Sequence, residues 1–273
     1  MENKDLEILE KSIKDYDSFH YNLPYHLNII EELHANENAH SRILARLFQY
    51  KDSNDRHVIL KEFVDYLIEN NQNNPEQEFT NIQIENPVIT YEEKRIDIWI
   101  KDEKYAIIIE NKVYDAGDQE TQLCRYIDKT LNCGYEKEKI FVIYMPSSTR
   151  DASEQTWGIY KEEFKNRYSI VSFNQDVIKW LKEKVYPNLT LKEVNLRSAI
   201  EQYIDYLERY SGQYEKKQQD QLLKTYYEYD SISIKKGDSL DSKYKKLMKF
   251  HTLLQHGMNL CDCKIKDLET KVD

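Results

Sequence analysis

Apolar positions change their period several times along the chain, and each change predicts an element. From His26 to Tyr50 they recur every three or four residues, with Ile30, Leu33, Leu44, Leu47 and Phe48 on one stripe, so the spacing predicts a helix. A polar loop over Lys51–Arg56 separates it from a second amphipathic helix over Val58–Ile68. The period then shortens. Ile82–Thr90, Ile96–Lys101 and Tyr105–Lys112 are short and rich in β-branched residues, which predicts three strands. Asp102-Glu103-Lys104 makes a hairpin-sized connector between the last two, and Pro87 suits an edge or a bulge in the first.

Helical spacing returns over Asp118–Leu131, after a turn at Gly117, and is followed by the near-continuous apolar run Lys139–Met145. A helix between two strands implies a parallel crossover, so that run is expected to be an interior strand. Pro146–Trp157 reads as a polar loop, Ser169–Phe173 as a short strand, and Asp176–Val185 and Leu196–Tyr210 as helices. Further helices are expected over Leu6–Tyr16, Lys216–Tyr229 and Ser242–Gln255, with a polar turn at Lys235–Asp241. The expected architecture is an α/β core with a mixed central sheet, residues 1–210, carrying a helical C-terminal extension, residues 211–273.

Polar residues interrupt this pattern in two places. In the hairpin, Ile96, Ile98 and Ile100 point one way and Asp97 and Trp99 the other, while Ile108, Glu110 and Lys112 share a face of the next strand. Antiparallel pairing brings Asp97 alongside Glu110 and Lys112. Two acids and a lysine at the ends of apolar strands are costly unless they are paired or hold a metal. In the first long helix, Glu37 and His40 fall on the apolar stripe, with Ser41 beside them. Carboxylates suit Mg²⁺, a hard cation that keeps several waters, and a neighbouring lysine suits the orientation of an attacking water. That set has the composition for metal-assisted phosphodiester hydrolysis.

Composition narrows the classes. The 273 residues carry a net charge of -10, which argues against a protein that coats nucleic acid by bulk electrostatics. It leaves room for an enzyme whose basic groups line one groove. Four cysteines, Cys124, Cys133, Cys261 and Cys263, form no CxxC pair and are too few for a disulfide framework. The N-terminus lacks the apolar core of a signal peptide, and no apolar run approaches the roughly 20 residues of a spanning helix. A cytoplasmic protein without membrane contact is expected.

Asp97…Glu110-Asn111-Lys112 resembles the D-(x12)-E-x-K signature of the PD-(D/E)xK nuclease superfamily, the restriction-endonuclease-like fold with an αβββαβ core. Asn36–Phe48 is similar to the leading helix of one bacterial branch, Gln122–Tyr126 (Q-L-C-R-Y) to the Q-L-x-x-Y helix of exonuclease-like members, and Leu196–Gly212 to the branch's closing helix. The likeness spans roughly residues 25–212. Ile96 stands where the motif's name has proline. The resemblance implies Asp97 and Glu110 as metal ligands, with the Asn111 carbonyl a third and Glu37 a helix-borne fourth. Lys112 would be the catalytic lysine. Gln122 and Tyr126 would position the substrate backbone or the lysine, and His40 and Ser41, from the polar-interrupted helix, are further candidates for substrate positioning.

The implied activity is Mg²⁺- or Mn²⁺-dependent cleavage, with DNA as the substrate, phage defence as a setting and a homodimer as an option. Blander readings stand beside it. An E-x-K is often a surface ion pair worth under about 1 kcal/mol. A histidine on an apolar helix face often braces its neighbours, and Tyr126 can simply pack. The sequence leaves open whether His57, Arg150 and the loop Ser147–Glu154 border the groove, and Tyr226, Tyr227 and Tyr229 fit a helix surface. An inactive nuclease-fold module that binds nucleic acid or protein, and a buried ion network, are the rival functions.

Overall fold

The computed structural model describes residues 27–72, 74, 76–190, 193–213, 237–246, 248, 251 and 252. The chain divides into two units, Leu27–Ser211 and a second made of Met1–His26 with Gly212–Asp273. The helices expected over Leu6–Tyr16 and Lys216–Tyr229, with the tyrosine cluster of the latter, lie outside the described residues. In the second unit, residues 240–246 are helical.

The first unit opens with two helices where the apolar spacing predicted one. Helix α1 (Ile29–Glu32) ends in a turn at His34, whose φ of 48° no helix continues through. Helix α2 (Glu37–Gln49) then restarts, its first turn capped by Asn36, whose side chain accepts from the Ala39 N–H at 2.9 Å. Leu33 therefore leaves the stripe and stands 75% exposed, while Leu44, Leu47 and Phe48 are buried. Helix α3 (Val58–Asn71) packs Phe63 against Phe48, with ring centroids 4.9 Å apart.

Five strands form one sheet in the order β1-β2-β3-β4-β5: Val88–Tyr91, Ile98–Lys101, Ala106–Lys112, Ile140–Pro146 and Tyr168–Ile170. β1 is an edge strand that begins directly after Pro87 and is shorter than the predicted run. The first three strands pair antiparallel, and β3–β4 and β4–β5 are parallel. Helix α4 (Gln122–Leu131) makes the crossover from β3 to β4. Between β4 and β5 the loop predicted over Pro146–Trp157 ends in a short helix, α5 (Glu154–Trp157), which buries Thr156 and Trp157; beyond that loop, α6 (Lys161–Phe164) buries Phe164. After β5 a helical stretch, α7, runs through Phe173–Val177, Ile178–Trp180 and Leu181–Val185, the outer two parts wound as π-helix. Helix α8 (Val194–Tyr210) closes the unit.

The sheet separates two cores. Ile98, Ile100, Ile107, Ile109, Phe141 and Ile143 face residues of α2, α3, α7 and α8. Trp99, Ile108, Val142 and Tyr144 face Leu123, Tyr126 and Ile127 of α4, with Trp157 and Phe164 behind them. Ile96 joins this second core rather than Ile98 and Ile100, because a tight turn over Glu93–Arg95 precedes it and β2 begins only at Ile98. This is the mixed α/β sheet with flanking helices of the restriction-endonuclease-like fold. Among the described residues no helix is long and apolar enough to cross a membrane.

Candidate active site

β2 and β3 pair Ile98 with Ile109, so Asp97 and Glu110 stand one register step further on. Asp97 Oδ2 accepts the Asn111 backbone N–H at 2.8 Å, which fixes the acid at the strand end. Glu110 is 1% exposed and Lys112 5%, and Lys112 Nζ lies 2.8 Å from Glu110 Oε1. That contact is ionic and poorly directed: neither carboxylate oxygen of Glu110 has a partner with hydrogen-bond geometry.

A buried carboxylate without a directed donor is expensive, and its proton affinity reports this. Burial pushes the Glu110 carboxyl well above the ordinary range, and the negative charge of Asp97 pushes it further, against the pull of Lys112. Asp97 is also raised by burial, with the Asn111 N–H and Lys112 opposing. Burial alone would lower Lys112, but Glu110, Glu37 and Asp97 outweigh it and hold the ammonium raised. Without a bound cation, burial and the neighbouring acid thus favour the protonated form of Glu110 near neutral pH.

Asp97, Glu110, Asn111, Lys112, Glu37, Gln122 and Tyr126 all line one cleft of 420 Å³. Glu37 reaches it as the first residue of α2, where its Oε1 accepts the Tyr114 N–H at 3.4 Å. Gln122 and Tyr126 lie one turn apart on α4, joined by a 2.9 Å bond from Gln122 Nε2 to the Tyr126 hydroxyl. Asn111 turns its side chain to the frame: Nδ2 donates to the Glu37 carbonyl at 2.8 Å and to Ser41 Oγ at 2.9 Å.

His40 and Ser41 are not among the cleft residues. Ser41 donates to the Glu37 carbonyl at 3.1 Å and is 1% exposed. His40 is fully buried between the hydroxyls of Tyr203, at 3.1 Å from Nδ1, and Tyr114, at 2.9 Å from Nε2. His57 caps the Phe48 carbonyl at 2.9 Å, and Arg150 bonds Tyr144 and the Ala116 carbonyl, so neither lines the cleft.

Several lining residues escaped the sequence reading: Glu92, Arg95, Gln119, Arg125 and Lys129. Arg125 and Lys129 had a signal, since they share a helical stripe with Gln122 and Tyr126 at spacings of three and four. Glu92 and Arg95 had none. Their turn puts Glu92, Lys94 and Arg95 at φ of 55°, 52° and 67° without a glycine to mark it. Non-glycine residues in this region cost about 1–3 kcal/mol each and gather at functional sites.

The donor set suits a hard divalent ion. All side-chain ligand candidates are oxygens, and Glu110 offers two buried ones that nothing else satisfies. Mg²⁺ needs only one or two protein carboxylates because it retains waters. Among the described residues no three His, Cys, Asp or Glu side chains gather closely enough to cage an ion, so Glu37 does not complete such a set with Asp97 and Glu110.

No curated protein and no solved structure matches the chain. A family model does, over residues 27–205, the span that holds the sheet, the cleft and α8 as far as Asp205. With that match over more than half its length, the chain belongs to the PD-(D/E)XK nuclease superfamily, whose members generally use divalent metals.

Proposed function

We propose that this protein hydrolyses phosphodiester bonds in DNA, with Mg²⁺ or Mn²⁺ held by Asp97 and Glu110. The observation that carries the reading is the buried, hydrogen-bond-orphaned carboxylate of Glu110 beside Asp97 and Lys112 in one cleft. A bound divalent ion supplies Lewis acidity to the phosphate and neutralises the charge that develops on it. Asp97, pinned by the Asn111 N–H, and Glu110 would hold the ion through their carboxylate oxygens. Lys112 stays an ammonium, so it orients the attacking water and stabilises negative charge rather than removing a proton. Water would attack phosphorus directly, since among the described residues no serine or cysteine lines the cleft; the P–O bond to the leaving alkoxide breaks, and the water's proton passes through solvent to that alkoxide. Gln122 holds the Tyr126 hydroxyl and presents a polar edge to the substrate.

The test is cleavage of plasmid, linear and single-stranded DNA and of RNA in Mg²⁺, Mn²⁺ or EDTA. DNA should be cut with either metal and left intact in EDTA. Lys112→Ala should lower turnover roughly 10²-fold, the scale of one lost electrostatic donor, while binding Mg²⁺ at least as tightly in calorimetry. Loss of Mg²⁺ binding in that variant would make Lys112 a structural residue, and DNA cleavage undiminished in EDTA would end the metal-dependent reading.

A further inference from the structure

The cleft's second charged group has the opposite sign to the acid pair. Arg95 comes from the left-handed turn before β2, and Arg125 and Lys129 from one stripe of α4. Lys94 adjoins them: the Lys129 ammonium donates to the Lys94 carbonyl, and Lys94 Nζ donates to Cys133 Sγ at 3.3 Å. None of these four cations has a carboxylate partner within salt-bridge reach among the described residues, although the chain carries 49 acids against 39 lysines and arginines. Arg125 spends its donors on neutral oxygens: the Glu120 carbonyl at 2.6 Å, Thr121 Oγ1 at 3.1 Å and Gln119 Oε1 at 3.2 Å. Arg95 is exposed, and its guanidinium makes no hydrogen bond or ion pair with any described residue.

Like charges at i,i+4 on a helix repel, so Arg125 and Lys129 weaken α4 unless something else holds them there. The other cations aggravate this. Burial lowers the proton affinity of Lys129, and Arg125, Arg95 and Lys94 lower it further. Lys129 also lies over the Tyr126 ring, 5.3 Å from its centroid. Tyr126 feels the charges of Glu110 and Asp97 as well as that of Arg125, and all four residues line the same cleft. Glu92 lines the same cleft and forms no ion pair with the group.

We propose that Arg95, Arg125 and Lys129, with Lys94 behind them, form an anion subsite for a backbone phosphate of the DNA strand other than the one cleaved. The inference rests on the nuclease reading for the identity of the strand, and on the uncompensated cations for the subsite. A phosphate there receives charge-assisted bonds and relieves the repulsion within α4. A second phosphate contact, away from the acids, holds the substrate in register with Glu110 and selects polynucleotides over mononucleotides. It also gives an acidic protein a local route to a polyanion.

Binding without metal separates this inference from the nuclease reading. The probe is a fluorescein-labelled 20-nucleotide DNA, single-stranded or duplex, titrated by anisotropy in EDTA at low salt, with an RNA of the same sequence as a further arm. The wild type should bind, and Arg95→Gln and Lys129→Gln should each weaken binding about tenfold, as expected for the loss of a bond to a charged group. Each should also lower the slope of log affinity against log salt by about 1. Lys61→Gln, the same charge change on the exposed face of α3, should leave both unchanged. No binding by the wild type, or equal binding by the Arg95→Gln/Lys129→Gln double variant, overturns the subsite whatever the cleavage assay gives. Metal-free binding that depends on Arg95 and Lys129, without any cleavage in Mg²⁺ or Mn²⁺, would leave the subsite and remove the catalytic reading. Tighter binding of the RNA would keep the subsite and replace DNA as its strand.

Discussion

His40 and Glu110 are both polar, both buried, and handled in opposite ways. His40 has each ring nitrogen matched to a tyrosine hydroxyl, and Tyr114 in turn bonds the Ala35 carbonyl at 2.5 Å and the Tyr206 hydroxyl at 2.6 Å. Glu110 sits on a strand with an ammonium beside it and no directed donor on either oxygen. A satisfied network of this kind rigidifies a fold, whereas a half-satisfied charge is a standing cost. The same protein builds the first to hold α2 and α8 together and keeps the second open toward a cleft. The contrast separates frame from site better than burial does, since both residues are almost fully covered.

The sharpest way to break the comparison is Glu110→Gln. If Glu110 is a site and not a brace, cleavage should fall by on the order of 10³-fold or more, because a ligand and its charge are both lost. Stability without metal should move the other way. The folded-state carboxyl is raised by burial and by Asp97, so above the ordinary carboxylate range the unfolded chain ionises first. Stability therefore falls as pH rises from about 4 through the raised value, and a neutral amide removes that loss. Melting in EDTA at pH 8 should rise, at about 2–4 °C per kcal/mol for a unit of this size. A lower melting temperature with retained cleavage would make Glu110 a structural ion-pair residue.

His40→Phe tests the other half, with a smaller effect. The ring volume is kept, but the Tyr203 hydroxyl loses its partner, at about 1–3 kcal/mol. Burial lowers the His40 proton affinity from 6.5 to about 4, so the unfolded chain takes up a proton that the folded one refuses. Its contribution is full above about 6.5 and is lost as pH falls toward 4, up to about 3 kcal/mol over that window. This slope has the opposite sign to that of Glu110, so urea denaturation of each variant against the wild type from pH 4 to 8 resolves them. Retained acid sensitivity in His40→Phe would assign the slope elsewhere. Mg²⁺ binding at pH 8 should be unchanged.

The sequence exposes the site through short-range geometry. Period-2 alternation alone sets Glu110 and Lys112 on one face, and a hairpin-sized connector suffices to bring Asp97 across. It does not say whether a buried polar side chain is matched, because the partners are remote. Those of His40 are 74 and 163 residues away. Periodicity could mark His40 and Ser41 as covered polar groups but not as parts of the frame. Backbone devices without a sequence mark were hidden too. His34 breaks the first helix, and Glu92–Arg95 turns through the left-handed region, each without glycine or proline. The second of these delivers Arg95 to the cleft.

Glu37 falls between frame and site, and its variant should show the smallest change. Its backbone carbonyl belongs to the frame, taking bonds from Ser41 and Asn111, and its side chain reaches the cleft. Truncation to alanine leaves the carbonyl bonds in place and opens only the weak 3.4 Å contact with the Tyr114 N–H. Stability should therefore change by less than about 1 kcal/mol. Glu37 acts on the acid pair at a distance and belongs to no three-acid set, so its loss should weaken Mg²⁺ binding by less than about tenfold. Turnover at saturating Mg²⁺ should stay within about tenfold of the wild type, while that of Asp97→Ala stays near background. Calorimetric Mg²⁺ titration beside cleavage rate reads both. A Glu37→Ala protein as inactive as Asp97→Ala would mean that α2 closes on the acid pair when the ion binds, and that Glu37 belongs to the site after all.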